Sequence, residues 1–243
     1  MKSLPSHYRS QWILSADIGQ AIDPTAIAIV EYRARAAVRR DVVVAADAIR
    51  DGQVVEIDSF DAHANERFDA YQPASINVRH LERLPLRTPY PDVVAHIAGI
   101  LRRPPLDLPR AKLLLDMTGV GRPIVDMFVR AALAPVGVMI TSGDQERRVH
   151  EHEWRVSKSL LVSNLQASLH SGELRIAKGL PEARTLASEL QSFRTTITES
   201  GNQRFGAREG AHDDLVLAVA MGVWWARRKR ERGMVVGHFV ISG

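Results

Sequence analysis

Three acidic points in this 243-residue chain stand where apolar structure ends or begins. Asp17 closes Trp12-Ile13-Leu14-Ser15-Ala16-Asp17, Asp116 closes Ala111-Lys112-Leu113-Leu114-Leu115-Asp116, and Asp213-Asp214 opens the longest apolar run, Leu215 to Ala226. Buried carboxylates are costly unless they are paired or metal-bound. If the strands carrying Asp17 and Asp116 are parallel neighbours, the two acids meet at the carboxyl edge of the sheet, where open α/β sheets place their sites. The helix opened by Asp213 and Asp214 then needs only to dock there. Such a cluster suits hard divalent ions. A pair of them about 4 Å apart stabilises the attacking and leaving oxygens of an in-line phosphodiester displacement, with no protein nucleophile required.

Each acid also has a plainer reading. Asp116 precedes Thr118-Gly119-Val120-Gly121 and suits a turn or a ribose contact, while Asp213 suits a helix N-cap, where a carboxylate meets unpaired N–H groups and the positive end of the dipole. Singly these readings compete evenly. Together, three unrelated caps need not converge, which favours the metal reading.

The elements that must position these residues follow from the apolar pattern. Trp12–Asp17 reads as a short buried strand broken by Gly19, and Ala26–Tyr32 as its antiparallel hairpin partner after the Asp23-Pro24-Thr25 turn. Val54–Phe60 and Ile76–Leu81 are further strand candidates, while Ala34–Arg50 shows no clear period and stays unassigned. Pro91–Leu101 is helical, with proline in its first turn. The strand Ala111–Asp116, a glycine turn, the helix Pro123–Ala132 and the strand Val136–Thr141 form a parallel βαβ crossover. Ser157 is placed to cap a helix reaching about His170, and Pro181 opens another reaching about Phe193. The final helix, from His212-Asp213-Asp214 through Ala226, is apolar nearly all round, as a buried helix is.

Composition narrows the chemistry. With no cysteine, disulfides, thiolate nucleophiles and cysteine-held zinc are excluded together, so any metal is held by oxygen or imidazole. No serine-hydrolase elbow is present. The longest apolar run is too short for a bilayer and the N-terminus lacks a signal core, which predicts a cytoplasmic protein without membrane contact. A net charge of +4 and a pI near 9.7 suggest a polyanionic partner such as nucleic acid. The 45% hydrophobic content suits one substantial core, and the expectation is a single domain over 1–243, with a core of about 12–226 and a basic tail over 227–243.

The segments Ser15-Ala16-Asp17-Ile18-Gly19-Gln20-Ala21-Ile22-Asp23-Pro24-Thr25, Leu114-Leu115-Asp116-Met117-Thr118-Gly119-Val120-Gly121 and His212-Asp213-Asp214-Leu215-Val216-Leu217-Ala218 resemble the successive motifs of phage terminase large-subunit nucleases. Arg79-His80-Leu81-Glu82-Arg83-Leu84-Pro85 and Leu161-Val162-Ser163-Asn164-Leu165-Gln166 resemble the same family. The resemblance implies an α/β, RNase H-like mixed sheet, three antiparallel strands plus two parallel ones, flanked by helices. It implies an endonuclease that cuts double-stranded DNA during viral genome packaging through two Mg2+ or Mn2+ ions. Asp17 would bridge the ions, Asp116 and Asp214 would complete their shells with Asp213 alongside, and Thr118 and Gly119 would shape the turn beneath. A packaging ATPase domain, a small terminase subunit and a portal are the implied partners. Two departures stand out: an acid often found one helical turn after Asp214 falls on Leu217, and no Gly-Lys pair of an ATPase phosphate loop occurs, so the motor was excised or is a separate chain. The competing readings are a Holliday-junction-type resolvase on the same fold and a non-catalytic DNA-binding packaging module.

Weaker signals remain. His150-Glu151-His152-Glu153 reads better as a solvated strand edge than as a metal site. His212 suits either a scissile phosphate or the approach to the helix cap. Arg227-Arg228-Lys229-Arg230-Glu231-Arg232, Arg147-Arg148 and Arg102-Arg103 suit either DNA phosphates or solvent.

Overall fold

The computed structural model describes residues 8–19, 23–35, 49–50, 53–54, 74–107, 111–192, 194–197, 203–206 and 212–234. Strands β1 (Tyr8–Asp17), β2 (Ala26–Arg35) and β5 (Ser75–Arg83) pair antiparallel in the order β5-β2-β1. On the other side of β1, strands β6 (Ala111–Asp116) and β7 (Val136–Thr141) continue the sheet in parallel. This five-stranded centre is the RNase H-like mixed sheet expected from the motifs. Strands β8 (Glu146–His150), β9 (Glu153–Ser157) and β10 (Leu174–Ile176) extend it to eight, in the order β10-β5-β2-β1-β6-β7-β9-β8. Two small hairpins, β3 (Ile49–Arg50) with β4 (Gln53–Val54) and β11 (Arg194–Ile197) with β12 (Gln203–Gly206), stand outside it.

Strand alternation divides the core into two layers. Leu14, Ala16, Ile27, Ile29, Leu113 and Leu115 face α1 (Tyr90–Leu101) and α2 (Arg122–Arg130). Ile13, Ala28, Val30 and Leu114 face the opposite layer of α3 (Lys158–His170), α4 (Ala183–Ser192) and α5 (Asp214–Met234). Every residue of α5 from Leu215 to Trp224 is buried, which explains why its first half is apolar all round.

Two contacts fix how α5 lies on the sheet. The fully buried Ser15 hydroxyl donates to the Ala218 carbonyl at 2.6 Å. One turn further on, Gly222 lets the helix backbone approach so closely that a Cβ there would meet Val30 Cγ2 at 2.7 Å and Ser15 Oγ at 3.1 Å. Ser157 caps α3 as its position suggests, accepting from the Leu160 amide at 3.1 Å.

Several elements differ from the apolar pattern. Beyond Gln53–Val54 the strand candidate Val54–Phe60 lies outside the described residues, as does most of 34–50. His150-Glu151-His152-Glu153 is not one extended edge: it is the turn of the β8–β9 hairpin, with Arg148 donating to the Glu151 carbonyl at 2.7 Å. The basic run is not all solvent-facing either. Arg227 donates to the Asn164 carbonyl and the Ser168 hydroxyl, and Arg228 lies 3.5 Å over the Trp154 ring while pairing with Glu146. Packing therefore continues past Ala226.

Candidate metal centre

The β1–β6 register pairs Ala16 with Leu115, which sets Asp17 and Asp116 side by side where the two parallel strands end. By alternation both acids share the face of Ile13 and Leu114, the face that α5 covers. Because Ser15 and Gly222 fix the helix, its first turn arrives over the same edge and brings Asp213 and Asp214. All four acids identified from the sequence line one cleft of about 430 Å³, together with Asp23.

Each carboxylate is held differently. Asp116 Oδ1 accepts from the Thr118 amide at 2.7 Å and from the Thr118 hydroxyl at 2.5 Å, and that hydroxyl accepts from the Ile140 amide of β7 at 2.8 Å. Asp116 thus closes the turn with Thr118 while it lines the cleft. Asp213 pairs with Lys158 Nζ at 2.6 Å. Asp214 Oδ2 lies 3.5 Å from Arg83 Nη2, and Arg83 also pairs with the buried Glu189 of α4. Glu189 in turn accepts from the Val216 amide at 3.1 Å, so a neighbouring helix supplies a cap for α5. His212 Nδ1 lies 3.1 Å from Asp23 Oδ1 and 4.0 Å from Asp214 Oδ2.

Burial pushes the Asp17 carboxyl well above the usual carboxylate range, and the charges of Asp116, Asp214 and Asp213 push it further, against the opposing pull of Lys158. Burial also raises Asp116, although its bonds from Thr118 favour the ionised form. Asp214 is raised by burial, with Arg83 and His212 opposing. Five aspartates against these few cations leave the cleft short of positive charge. The buried Oδ2 of Asp214 has no hydrogen-bond donor among the described residues. A donor set of carboxylate oxygens with one imidazole, and no sulfur, fits a hard divalent cation.

Asp23, Lys158, Arg83 and Glu189 were not singled out in the sequence. Asp23 is a turn residue, Lys158 is one of 32 basic residues, and Arg83 and Glu189 meet only through the fold. The one usable signal was Glu189, an acid falling on the buried face of an amphipathic helix beside Leu186.

No protein-family model matches the chain. Over 64 residues, 26% of this chain, it is 36% identical to the terminase large subunits of Thermus phage G20c and Thermus virus P23-45, and the matched segment spans 12% of each relative's length. Crystal structures of the large terminase nuclease from thermophilic phage G20c, one with bound magnesium and one with bound cobalt, are similar at TM-score 0.57 and 20% identity, over 88% of this chain and 81% of theirs. The large terminase nuclease domain of Thermus phage P74-26 is similar at TM-score 0.51 and 19% identity, over 87% of this chain and 77% of that one. With terminase large subunits as its sequence relatives and large terminase nuclease domains as its structural neighbours, this chain carries the RNase H-like fold of phage large-terminase nuclease domains.

Proposed function

We propose that this chain is a divalent-metal-dependent endonuclease that cuts double-stranded DNA during phage genome packaging. The observation that carries the reading is the convergence of Asp17, Asp116, Asp213 and Asp214 from two strand ends and one helix start on a single cleft. A purely structural module gains nothing from gathering repelling charges.

Asp17, Asp116 and Asp214, with Asp213 in the same cleft, would hold two Mg2+ or Mn2+ ions. Two such ions, when bound, neutralise charge on the attacking and leaving oxygens of an in-line phosphodiester displacement. The chain's own part is orientation. Thr118 fixes Asp116 against β7, Arg83 and Glu189 hold the start of α5, and Lys158 holds Asp213. The reading takes 1–243 as one nuclease domain, acting in the host cytoplasm with a packaging ATPase, a small terminase subunit and a portal. Among the described residues no helix is long and apolar enough to cross a membrane.

The test is incubation of supercoiled plasmid with the chain in Mn2+, in Mg2+ and in chelator, without ATP. Nicked and linear products in metal alone are expected. DNA binding with intact plasmid in both metals would replace this reading with that of a non-catalytic packaging module.

A further inference from the structure

We propose that Arg147 and Arg155 form a phosphate-binding surface that holds the backbone of a DNA duplex beside the carboxylate cleft. The inference rests on the nuclease reading above and adds to it the face of the sheet along which the substrate runs.

The helices cover both faces of the sheet over only part of its width. The core beneath α1 and α2 draws on β1, β2 and β6 and takes no residue from β7, β9 or β8. On their other face β7 and β9 are packed, since Val138, Trp154 and Val156 lie in the core under α3 and α5. By alternation Met139, Arg155 and Arg147 stand on the opposite face, which no helix core of the described residues covers.

Register sets Arg147 directly opposite Arg155 across β8 and β9, and both are exposed. Like charges so placed destabilise a strand pair. No acid among the described residues pairs with either of them. Glu153, the acid two residues before Arg155 on the same face, is engaged by Arg122 at 2.9 Å. A phosphodiester between the two guanidinium groups turns their repulsion into charge-assisted contacts. The platform is also fixed from behind. On the packed face Glu146 of β8 accepts from the Trp224 ring nitrogen and from Arg228, which ties the strand to α5.

Position argues for the duplex as the occupant. The Thr118 hydroxyl that holds Asp116 accepts from the Ile140 amide at 2.8 Å, and the neighbouring Met139 pairs with Arg155, so this face adjoins the cleft through β7. From β6 to β8 is three strand spacings, about 14 Å. Duplex DNA carries one charge per roughly 1.7 Å of its axis, so several phosphates fall within that reach. The uncovered faces of β7, β8 and β9 carry no aromatic side chain, which suits contact with the backbone and not with stacked bases.

The experiment is fluorescence anisotropy of a labelled mixed-sequence duplex titrated with the full chain across a range of salt, with Ca2+ replacing Mg2+ to hold back cleavage. Arg147→Gln with Arg155→Gln should bind more weakly and flatten the plot of log affinity against log salt by about two units, one for each lost contact. Arg147→Lys with Arg155→Lys should keep most of the slope, because the charge remains. The glutamine pair should melt no lower than wild type, since it removes a repulsion. Arg102→Gln with Arg103→Gln, at the far end of α1, should leave the slope unchanged. A wild-type slope in the glutamine pair, or an equal loss in the lysine pair, overturns the surface and leaves the nuclease reading standing. So does a wild-type dimer that the glutamine pair abolishes, which assigns the face to a second copy of the chain. Wild type that binds no duplex at any salt overturns both.

Discussion

Asp17 is buried and feels the negative charge of Asp116, Asp213 and Asp214 with Lys158 as its opposing cation, so without metal its ionised form is disfavoured. The consequence for stability has a definite sign. Its folded pKa is raised above the unfolded value of about 3.9, so the folded state holds the proton over the interval between the two. Stability in chelator should therefore rise as pH falls through the raised folded pKa, by up to about 1.4 kcal/mol per unit while Asp17 alone titrates. Thermal melts of wild type and Asp17→Asn across that interval check this, and the variant should show a flatter profile. With Mn2+ present the trend reverses, because protons compete with the ion for the same oxygens. A wild type in chelator whose stability falls steadily as the pH is lowered through that interval would contradict the account. The four aspartates were legible from sequence because each borders an apolar run. Lys158, Arg83 and Asp23 were not, since their roles arise only from which surfaces the fold brings together.

At the scale of elements, the start of α5 brings Asp213 and Asp214 to the acid cluster, and the seating of the helix decides whether the centre forms. Gly222 lies where the helix meets β1 and β2, so Gly222→Val should overpack the contact with Val30 and Ser15. A loss of about 1–3 kcal/mol is expected, and differential scanning calorimetry would show it as a drop of at least about 2 °C in Tm. An unchanged Tm would mean that the helix shifts freely over the sheet. Arg83 ties β5 to α4 and α5 through Glu189 and Asp214, and Arg83→Met removes the cation from two buried acids. Denaturant melts in chelator should show a loss of about 3 kcal/mol. Saturating Mn2+ should restore part of it by binding Asp214. The central strands and α5 were readable because burial writes its period into the sequence. The β8–β9 hairpin was not, because β8 is exposed along its length and carries no apolar alternation.

For the whole molecule, the antiparallel-then-parallel order β5-β2-β1-β6-β7 is what turns two distant sequence motifs into adjacent carboxylates. The β1–β2 and β6–β7 pairings were inferable from the short turn between the first two strands and from the strand–helix–strand spacing around Asp116, whereas the adjacency of β1 and β6 stood in the sequence only as a condition and as what the resemblance implies. The edge strands β9, β8 and β10 were not, because no motif requires them. The mild positive charge suits a DNA partner, yet part of the basic run that suggested it is engaged in packing, as Arg228 against Trp154 and Glu146 shows. The measurement that bears most directly on the central claim is plasmid cleavage by Asp116→Asn beside wild type, in Mn2+ without ATP, with duplex binding and chelator melts recorded on the same preparations. Asparagine keeps the oxygen that accepts from Thr118 and removes one charge from the cluster. The account predicts a variant that melts no lower than wild type in chelator, binds DNA equally and leaves the plasmid supercoiled while wild type linearises it. A folded variant that cuts at the wild-type rate would contradict it.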